Sequence, residues 1–482
     1  MTAPRGVAWL QAGAGPIHFM GIGGAGMCAL AEAVARAGRE VTGCDSDPGR
    51  SARRLQELGV AVAHGHDPAH VAGAAALVVS AAIPADHPEI QAAREAGLPV
   101  LKRAQALAQW VNQGRVLGVA GTHGKTTTTA LLTEILATAG LDPTGFVGAE
   151  VVGWESNLRR GDHDLFVVEA DEYDRSFLHL RPEVAVVTNV EADHLDIYGS
   201  VEGVREGFRA YLSQVVPGGA VVACADDPGA GALLQGLPRT VTPVSYGFSA
   251  GAVFRGIELR SEDGGVRFQV KEEGRDRGHL VVRLPGVHNA RNALAAAAAA
   301  RRLGVEWPAI REGLVRFRGV ARRFQRLAPG APVEVIDDYA HHPTEVAATL
   351  AAALAAFPGR RVVAVFQPHL FSRTQAFHRE FGEALAGAHV VWLTDVYPAR
   401  EAPIPGVNGE LVAQSAREAG AVAVRYHGEL ESLAEAVAHS LRPGDICLVM
   451  GAGSVERVGP EVVRLLGGAG HGEGPGQGGS HA

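Results

Sequence analysis

The sequence predicts an α/β protein with three domains, each built on a mostly parallel sheet. A chain of 482 residues suggests about three domains at roughly 150 residues each. Short apolar strands rich in β-branched residues alternate with helical stretches, as in parallel sheets that are buried on both faces. This alternation starts anew near residues 17, 116 and 333, which predicts domain boundaries near 112 and 327.

The first predicted domain, residues 1–112, is Rossmann-like. A strand at 17–20 leads through glycines into a helical stretch at 27–37, and further strands follow at 41–45 and 76–80. This order of strand, turn, helix and strand is typical of a doubly wound sheet.

A GxGxxG motif joins the first strand to the first helix. Its glycines are Gly21, Gly23 and Gly26, with Gly24 between them, and Asp45 ends the next strand. Glycines let a backbone approach a diphosphate, and a helix N-terminus favours the negative charge. The motif therefore predicts a diphosphate site, although NAD or FAD would fit the same pattern.

The second predicted domain, residues 113–327, is of the P-loop ATPase type. Strands are expected at 116–120, 165–168, 184–187 and 220–223, and the first helix reaches residue 139. Between 250 and 284 polar and apolar residues alternate, which predicts an antiparallel excursion within this domain.

A phosphate loop follows the first strand of the second domain and opens its helix. It consists of Gly121, Thr122, His123, Gly124, Lys125, Thr126 and Thr127. The strict spacing GxxxxGK[ST] fails because position 119 is valine, but the G-K-T core remains. Backbone amides and Lys125 can hold phosphates and Thr126 can bind Mg²⁺. The loop therefore predicts a second phosphate-bearing ligand.

Acidic side chains follow the next two strands. Glu169 begins an acidic stretch that runs to Asp174, and His194 lies among the acids of 191–196. The carboxyl ends of parallel strands face the ligand crevice, and Mg²⁺ prefers carboxylate oxygens. These residues predict a magnesium site, with a solvated acidic loop as the alternative.

Two other groups of this domain are compatible with nucleotide binding. Asn289 and Asn292 share one face of a predicted helix, where they can read a base edge or Asn289 can cap the helix. Arg322 and Arg323, beside the second boundary, fit either a phosphate grip or a solvated linker.

The third predicted domain, residues 328–466, is again Rossmann-like. Strands are expected at 333–336, 362–366, 390–393 and 446–450, with a helix at 346–356. Polar loops after the first two strands carry Asp338, His341 and Arg373, and predict a third binding surface. The glycine-rich segment 467–482 is predicted to be a disordered tail.

Composition excludes several classes of function. Lys+Arg 44 against Asp+Glu 52 gives a net charge of −8, so no basic surplus predicts a nucleic-acid partner. The sequence lacks an 18-residue apolar run and a clean N-terminal hydrophobic region, so we expect a cytoplasmic protein without membrane insertion. The four cysteines form no CxxC pair, and their spacing fits neither a zinc site nor a disulfide framework.

Together, these motifs resemble the Mur ligase family of peptidoglycan synthesis. The resemblance covers residues 17–456 and depends on FMGIGGAGM, GTHGKTTTT, EADEYDRSFL, TNVEADHLDIY, GVHNARNA, FRGVARRF, DDYAHHPTEV, FQPHLFSRTQ and DVYPAREAPIPGV in that order. It implies an amide ligase that joins L-alanine to the carboxylate of UDP-N-acetylmuramate through an acyl phosphate. ATP and Mg²⁺ would serve it, with Mn²⁺ as an alternative metal. It also implies a monomer or weak homodimer.

The resemblance implies roles for the candidate residues. The first-domain glycines and Asp45 would bind the UDP-sugar, and Thr126, Glu169 and His194 would hold the metal. The loop 121–127 would hold the phosphates of ATP. Asn292 would contact its adenine, Arg323 its γ-phosphate, and Asp338 its ribose or phosphates. His341 and Arg373 would face the amino acid and the reacting centre, and with Lys125, Glu169 and His194 they form the catalytic set.

Two positions depart from the family pattern. No lysine occurs between residues 126 and 270, so the carbamylated lysine that bridges metals in several relatives has no counterpart here. Position 370 is leucine where we expect an arginine, which leaves Arg373 as the arginine of that motif.

Three alternatives are weighed against this interpretation. A nucleotide-binding dehydrogenase would use the first glycine loop but has no role for GTHGKTTTT. A non-catalytic nucleotide-binding regulator has no need of the acids and His194 beside the phosphate loop. A ligase that attaches a recycled tripeptide to the same sugar is expected to lack the GIGGAGM run.

Overall fold

Three sheets organise the chain, and most of their paired strands run parallel, which confirms the predicted α/β class. The protein is described by a computed structural model that covers residues 7–11, 13–154, 156–262, 264–399 and 401–468. The chain divides into two units. The first takes in residues up to 260, 267–283 and 288–320, and the second takes in 261–266, 284–287 and the residues from 321 on.

The first sheet is built as a Rossmann-type layer. Its strands are β1 Ile17–Met20, β2 Val41–Asp45, β3 Ala61–His64, β4 Ala76–Val79 and β5 Val100–Lys102. Its helices are α1 Ala25–Arg36, α2 Gly49–Glu57, α3 Pro88–Glu95 and α4 Arg103–Val111, with 3-10 helices at Ala8–Gln11 and Pro68–Val71. The five strands are parallel in the order β3-β2-β1-β4-β5. This order reverses at β1, the place where open α/β sheets bind ligands.

The second sheet has ten strands and carries the phosphate loop. The strands are β6 Arg115–Ala120, β7 Thr144–Val151, β8 Ser156–Arg159, β9 Leu165–Glu169, β10 Val184–Val187, β11 Ala220–Cys224, β12 Thr242–Gly247, β13 Phe254–Glu262, β14 Gly265–Glu272 and β15 Arg275–Val282. The helices are α5 Lys125–Thr138, α6 Leu195–Tyr198, α7 Val201–Leu212, α8 Pro228–Ala232, α9 Val287–Arg302 and α10 Trp307–Arg316, with a 3-10 helix at Tyr173–His179.

The order of this sheet places two acid-bearing strand ends beside the phosphate loop. The strands follow the order β15-β14-β13-β12-β11-β10-β6-β9-β7-β8, so β9 and β10 flank β6, both in parallel. A connection of two residues, 273–274, joins β14 to β15. Such a short connection allows only antiparallel neighbours, in agreement with the predicted excursion.

The third sheet has six strands. They are β16 Gln325–Arg326, β17 Glu334–Asp338, β18 Val362–Phe366, β19 Val390–Leu393, β20 Val424–Tyr426 and β21 Ile446–Met450, in the order β16-β17-β21-β18-β19-β20. The helices are α11 Pro343–Ala356, α12 Phe371–Leu385, α13 Gly409–Glu418, α14 Leu430–Ser440 and α15 Val458–Gly468, with a 3-10 helix at Ser454–Arg457. Within the described part of this sheet, β16 and β17 pair antiparallel, and the other paired strands run parallel.

Burial of the third sheet explains why its strands could be predicted. Ala364 and Phe366 pack into the core on one face, while Val363 and Val365 pack into the core on the other. A strand buried on both faces has few polar positions and appears in the sequence as a continuous apolar run.

Two predicted boundaries can be compared with the elements. β16 begins at Gln325 and pairs with β17, so the third sheet takes in residues just before 327; the domain boundaries themselves stay predictions. The tail was predicted to start at Gly467, but α15 includes Gly467 and Gly468. The apolar residues of this helix extend close to its end, and the helix continues through the two glycines. The rest of the predicted tail, 469–482, lies outside the described residues. Within the described part of the chain, no helix is long and apolar enough to cross a membrane.

Candidate functional site

The phosphate loop depends on glycine at the start of α5. Gly124 is the N-cap residue and has a φ of +80°, a conformation that side chains disfavour. A Cβ atom at this position would lie 2.5 Å from Asn292 Oδ1. The structure therefore brings Asn292, predicted to hold adenine, directly against the loop, where its Nδ2 also donates to Asn289 Oδ1 at 3.2 Å.

The segment after β10 anchors the phosphate loop. The Thr188 hydroxyl donates to the His123 carbonyl at 2.5 Å, and the His123 amide donates to Asn189 Oδ1 at 2.8 Å. The Glu191 amide donates to Thr122 Oγ1 at 2.9 Å. Thr122 and His123 thus fix the loop itself. Thr188 and Asn189 were not among the candidates, although their position after a buried strand was a usable signal.

Lys125 is held at the loop by a buried ion pair. Its Nζ donates to Glu172 Oε1 at 2.8 Å and to the Gly121 and Thr122 carbonyls at 2.6 and 3.2 Å. Burial is the largest single influence on Lys125 and would lower its pKa, but the carboxylates of Glu172, Asp171 and Glu169 together raise this pKa above its ordinary value. Lys125 is therefore a fixed positive charge at the loop.

Glu172 is a site residue that the sequence interpretation missed. Its Oε2 is buried without a hydrogen-bond partner among the described residues, and His194 Nε2 lies 3.9 Å from its Oε1. Glu172 therefore links Lys125 to His194. The sequence offered the signal, since Glu172 belongs to the acidic run that begins at Glu169, but nothing in the run distinguishes one acid from the next.

Thr126 and Glu169 lie together, as expected for metal ligands. Thr126 Oγ1 donates to Glu169 Oε1 at 2.9 Å, and the Gly148 amide donates to Glu169 Oε2 at 2.5 Å. These oxygens and Glu172 Oε2 are the hard donors that Mg²⁺ prefers. Thr127, the last residue of the predicted loop, is buried in α5.

His194 lies in a strained conformation beside this group. Its φ is +52°, which is costly for a residue with a Cβ and is often found at functional sites. Its ring meets the Tyr173 ring edge to face at 5.3 Å. The structure thus places His194 within reach of Glu172, and its role as a metal ligand stays a prediction.

The protonation of Glu172 predicts a pH effect on stability. Burial raises the pKa of Glu172 from 4.5 to about 7, so between these values the folded protein keeps a proton that the unfolded chain has released. Stability from this group is complete below 4.5 and is lost as the pH rises through 7. As the pH rises from about 5 to about 8, we expect the unfolding temperature of the wild type to fall by about 2–4 °C more than that of Glu172→Gln.

Thermal unfolding of both proteins across that range checks this expectation. Glu206→Gln, a change at an exposed carboxylate on α7, is the matched control and should track the wild type. Parallel profiles for wild type and Glu172→Gln would contradict the raised pKa.

The glycine loop of the first sheet is anchored by Asp45. The Gly23 amide donates to Asp45 Oδ2 at 2.8 Å, and the Asp47 amide donates to Oδ1 at 2.9 Å. A Cβ atom on Gly23 would lie 2.9 Å from the Pro48 carbonyl oxygen. Gly24 is the N-cap residue of α1. Asp45 therefore shapes the loop, and its contact with the UDP-sugar stays a prediction.

Two basic residues that sequence reasoning did not select lie at the end of β5, and one of them lies against the glycine loop. A Cβ atom on Gly26 would lie 3.0 Å from Arg103 Nη1, so the guanidinium covers the start of α1. Lys102 Nζ pairs with Asp174 Oδ2 at 2.6 Å. Both residues line a cavity of about 170 Å³. No local pattern marks them, because they lie far from the glycines along the chain.

In the second unit, the Asp338 carboxylate is used inside the fold. Its Oδ2 accepts from the Phe324 amide at 2.7 Å and its Oδ1 from the Ala340 amide at 2.9 Å. Burial raises the pKa of Asp338 above its ordinary value. Arg323 lies with its guanidinium carbon 5.0 Å from the centre of the Tyr339 ring. Asp338 thus fixes the segment that carries Arg323, and its contact with ATP stays a prediction.

His341 and Arg373 come together through a third residue in this unit. His341 Nδ1 lies 3.1 Å from Glu345 Oε2, and its ring centre lies 5.8 Å from that of His369. Arg373 Nη1 lies 3.4 Å from His369 Nδ1. His369 also stacks on Tyr397 at 5.6 Å. His369 and Tyr397 were not candidates; the first stood in the polar loop after the second strand of the predicted domain.

Leu370, the departure from the family pattern, has an unusual backbone. Its φ is +70°, and it is the N-cap residue of α12. A leucine pays a steric cost in this region, which the surrounding structure must offset. The helix it begins positions Arg373, so the strain lies next to a predicted catalytic residue.

Comparison with known families covers most of the chain. Residues 16–115 match the Mur ligase family catalytic domain, residues 119–300 match the Mur ligase middle domain, and residues 322–453 match the Mur ligase glutamate ligase domain. The three matches coincide with the three sheets.

Relatives of known function match nearly end to end. A UDP-N-acetylmuramate–L-alanine ligase of Kineococcus radiotolerans is 46% identical over 97% of this chain and 99% of its own length. One from Burkholderia ambifaria is 42% identical over 93% of this chain and 98% of its own.

Solved structures show the same similarity. The UDP-N-acetylmuramate-alanine ligase of Thermotoga maritima gives a TM-score of 0.82 at 28% identity, covering 94% of this chain and 100% of that chain. A murein peptide ligase of Psychrobacter arcticus gives 0.70 at 25% identity, covering 94% and 99%.

Proposed function

The chain belongs to the Mur ligase family, and we propose that it is the ADP-forming ligase that joins L-alanine to the carboxylate of UDP-N-acetylmuramate. The observation that carries this conclusion is the identity of 42–46% to L-alanine ligases over nearly the full length of both chains. The two glycine loops support it, because the reaction needs a site for a nucleotide sugar and a site for ATP.

The chemistry follows from the low reactivity of a carboxylate. Its oxygen attacks the γ-phosphorus of ATP, the bond to the β-γ bridging oxygen breaks, and ADP leaves. The amine of L-alanine then attacks the acyl carbon, the tetrahedral intermediate expels phosphate, and the amine loses a proton. The charge on the transferred phosphoryl group is the main obstacle to the first step.

Residues of the first unit can compensate the negative charge of the transferred phosphoryl group. Lys125 supplies a fixed positive charge at the loop, and the backbone amides at the start of α5 suit the binding of an anion. Thr126, Glu169 and Glu172, with His194, would hold Mg²⁺. When bound, this ion neutralises phosphate charge. Arg103 and the amides of the first loop suit the diphosphate of the UDP-sugar.

We assign the second unit to the amino-acid half of the reaction. Arg323 would neutralise the γ-phosphate and Arg373 the developing acyl phosphate or the amino-acid carboxylate. His341 is the candidate base for the amine, and its Nδ1 lies 3.1 Å from Glu345 Oε2. The domain roles follow: 1–112 for the UDP-sugar, 113–327 for ATP and 328–466 for the amino acid.

The cellular setting is also part of the proposal. A UDP-activated sugar is a precursor of peptidoglycan, so the reaction belongs to cell-wall synthesis and, through it, to cell shape and division. We place it in the bacterial cytoplasm, with small-molecule substrates, Mg²⁺ and a monomer or weak homodimer.

One assay tests the function against its nearest rival. Phosphate release is measured with UDP-N-acetylmuramate, ATP and, in turn, L-alanine, glycine, L-serine or the tripeptide L-alanyl-γ-D-glutamyl-meso-diaminopimelate. We expect L-alanine to give the highest kcat/KM. Release with the tripeptide alone would overturn the proposal in favour of the murein peptide ligase, and its absence with every acceptor would overturn both.

A further inference from the structure

A cluster of metal-binding side chains lies on one face of the first sheet, apart from the phosphate loop. His18 comes from β1, Cys44 from β2, His70 from the 3-10 helix Pro68–Val71 and Glu89 from α3. His18, Cys44 and Glu89 are buried and His70 is half-buried. No role in ligation uses any of the four.

The donor atoms of this cluster are close enough to share one ion. Glu89 Oε1 lies 3.0 Å from His18 Nε2, 3.3 Å from Cys44 Sγ and 3.8 Å from His70 Nδ1. All four donor atoms lie within 4.8 Å of one another. Tetrahedral zinc with bonds of about 2.0–2.3 Å needs donors about 3.3–3.8 Å apart. The donor atoms would reach this tetrahedral arrangement if they moved by a few tenths of an ångström, or by about 1 Å for the most widely separated pair.

Glu89 gives this cluster an unusual charge balance. Its side chain is fully buried, and no lysine or arginine of the described chain forms an ion pair with it. Its partners are His18, Cys44, His66 and His70. A buried carboxylate is costly unless it is paired, hydrogen-bonded or bound to a metal. The surrounding imidazoles and thiol are themselves metal ligands, so a cation would compensate the charge directly.

The surroundings already orient one ligand. His18 Nδ1 lies 2.8 Å from Thr42 Oγ1, which turns Nε2 toward Glu89. Such a hydrogen bond on the far nitrogen is typical of histidines that ligate metals. His70 Nδ1 accepts a long hydrogen bond of 3.3 Å from the Asp67 amide, which a metal bond can replace.

We propose that His18, Cys44, His70 and Glu89 form a binding site for a zinc-class divalent cation. One thiolate, two imidazoles and one carboxylate match the preference of Zn²⁺ for nitrogen and sulfur in a tetrahedral shell. They do not suit Mg²⁺, which prefers oxygen. Binding removes the thiol proton of Cys44 to solvent and leaves both imidazoles neutral.

This site lies directly beneath the glycine loop. The carbonyl of Cys44 accepts from the Gly21 amide at 2.8 Å and the Ile22 amide at 3.1 Å. A metal on the Cys44 side chain therefore fixes the residue that holds the loop. Bound metal should also raise the unfolding temperature, because the assembled site of the folded chain binds it more tightly than the unfolded chain does.

Cobalt binding to the full-length, chelator-treated protein tests the proposal. The titration is done with saturating Mg²⁺, which occupies oxygen-rich sites. We expect one equivalent of Co²⁺ to give the visible bands of a tetrahedral site and a thiolate-to-cobalt charge-transfer band. Zn²⁺ should displace it and raise the unfolding temperature. Absence of the charge-transfer band in the wild type would overturn the proposal.

Matched variants locate the ion. Cys44→Ser should lose the charge-transfer band, while Cys28→Ser, at another buried cysteine of the same domain, should keep it. His70→Ala changes a half-exposed side chain and should weaken Zn²⁺ binding by about 10-fold or more; it serves if Cys44→Ser does not fold. Unchanged zinc affinity in His70→Ala, or a band retained in a folded Cys44→Ser, would place the ion elsewhere.

Discussion

Replacing Lys125 with alanine is expected to lower kcat for ligation by at least about 10³-fold and to leave UDP-N-acetylmuramate binding nearly unchanged. Lys125 is the buried cation of the phosphate loop, paired with Glu172 at 2.8 Å. Without it, the negative charge of the transferred phosphoryl group loses its fixed counter-charge, and Glu172 loses the lysine with which it forms an ion pair. The glycine loop that we assign to the UDP-sugar belongs to a different sheet.

A complementary variant separates the two sites. In Gly23→Ala the new Cβ would lie 2.9 Å from the Pro48 carbonyl oxygen and 3.0 Å from Asp45 Oδ2, so the first loop must shift. We expect Gly23→Ala to have a lower affinity for UDP-N-acetylmuramate and an unchanged affinity for ATP. Lys125→Ala should instead have a lower affinity for ATP and an unchanged affinity for UDP-N-acetylmuramate. Calorimetry with each ligand on each variant checks both. A comparable loss of UDP-sugar affinity in Lys125→Ala would contradict two independent sites.

The second large effect concerns the metal. We expect Glu169→Ala and His194→Ala to lose most of their turnover, with added Mn²⁺ restoring His194→Ala better than Glu169→Ala. Glu169 contributes an anionic oxygen and also receives hydrogen bonds from Thr126 and Gly148, so its loss removes charge and order. Water can replace a neutral imidazole, and Mn²⁺ accepts nitrogen more readily than Mg²⁺ does.

Turnover measured against Mn²⁺ concentration decides this prediction. Glu206→Ala and His163→Ala, both at exposed positions of the same domain, are the matched controls and should follow the wild type. If His194→Ala keeps the metal dependence of the wild type, His194 does not belong to the metal site. If Mn²⁺ restores both variants equally, the charge argument is wrong.

The order of residues along the chain was enough to predict the three sheets. Strands such as β18 and β21 are buried on both faces, and this burial leaves a continuous apolar run that can be recognised without any tertiary information. The two glycine loops could be predicted from the sequence equally well. Each lies within a few residues of a strand end and a helix start, so its whole signal is local.

Two candidate residues also have a structural role in the folded chain, and their contacts with ligands stay predictions. Asp45 and Asp338 were expected to meet ligands, and in the structure their carboxylates accept the backbone amides of Gly23 and Phe324, which belong to other segments of the chain. Short polar side chains at strand ends can bind a ligand or accept backbone amides. The sequence does not distinguish these two roles, because the role depends on which amides the fold leaves without other hydrogen-bond partners.

Only the tertiary structure identified the contacts between residues distant in sequence. It selected Glu172 among neighbouring acids as the partner of Lys125, and it placed Arg103 over Gly26. It also joined Cys44 to His18 and Glu89, although the cysteine spacing alone fits no zinc site. A local pattern reports which face of an element is apolar. Which side chains meet across that face is set by strand order and helix packing, and these bring together positions that no spacing along the chain relates.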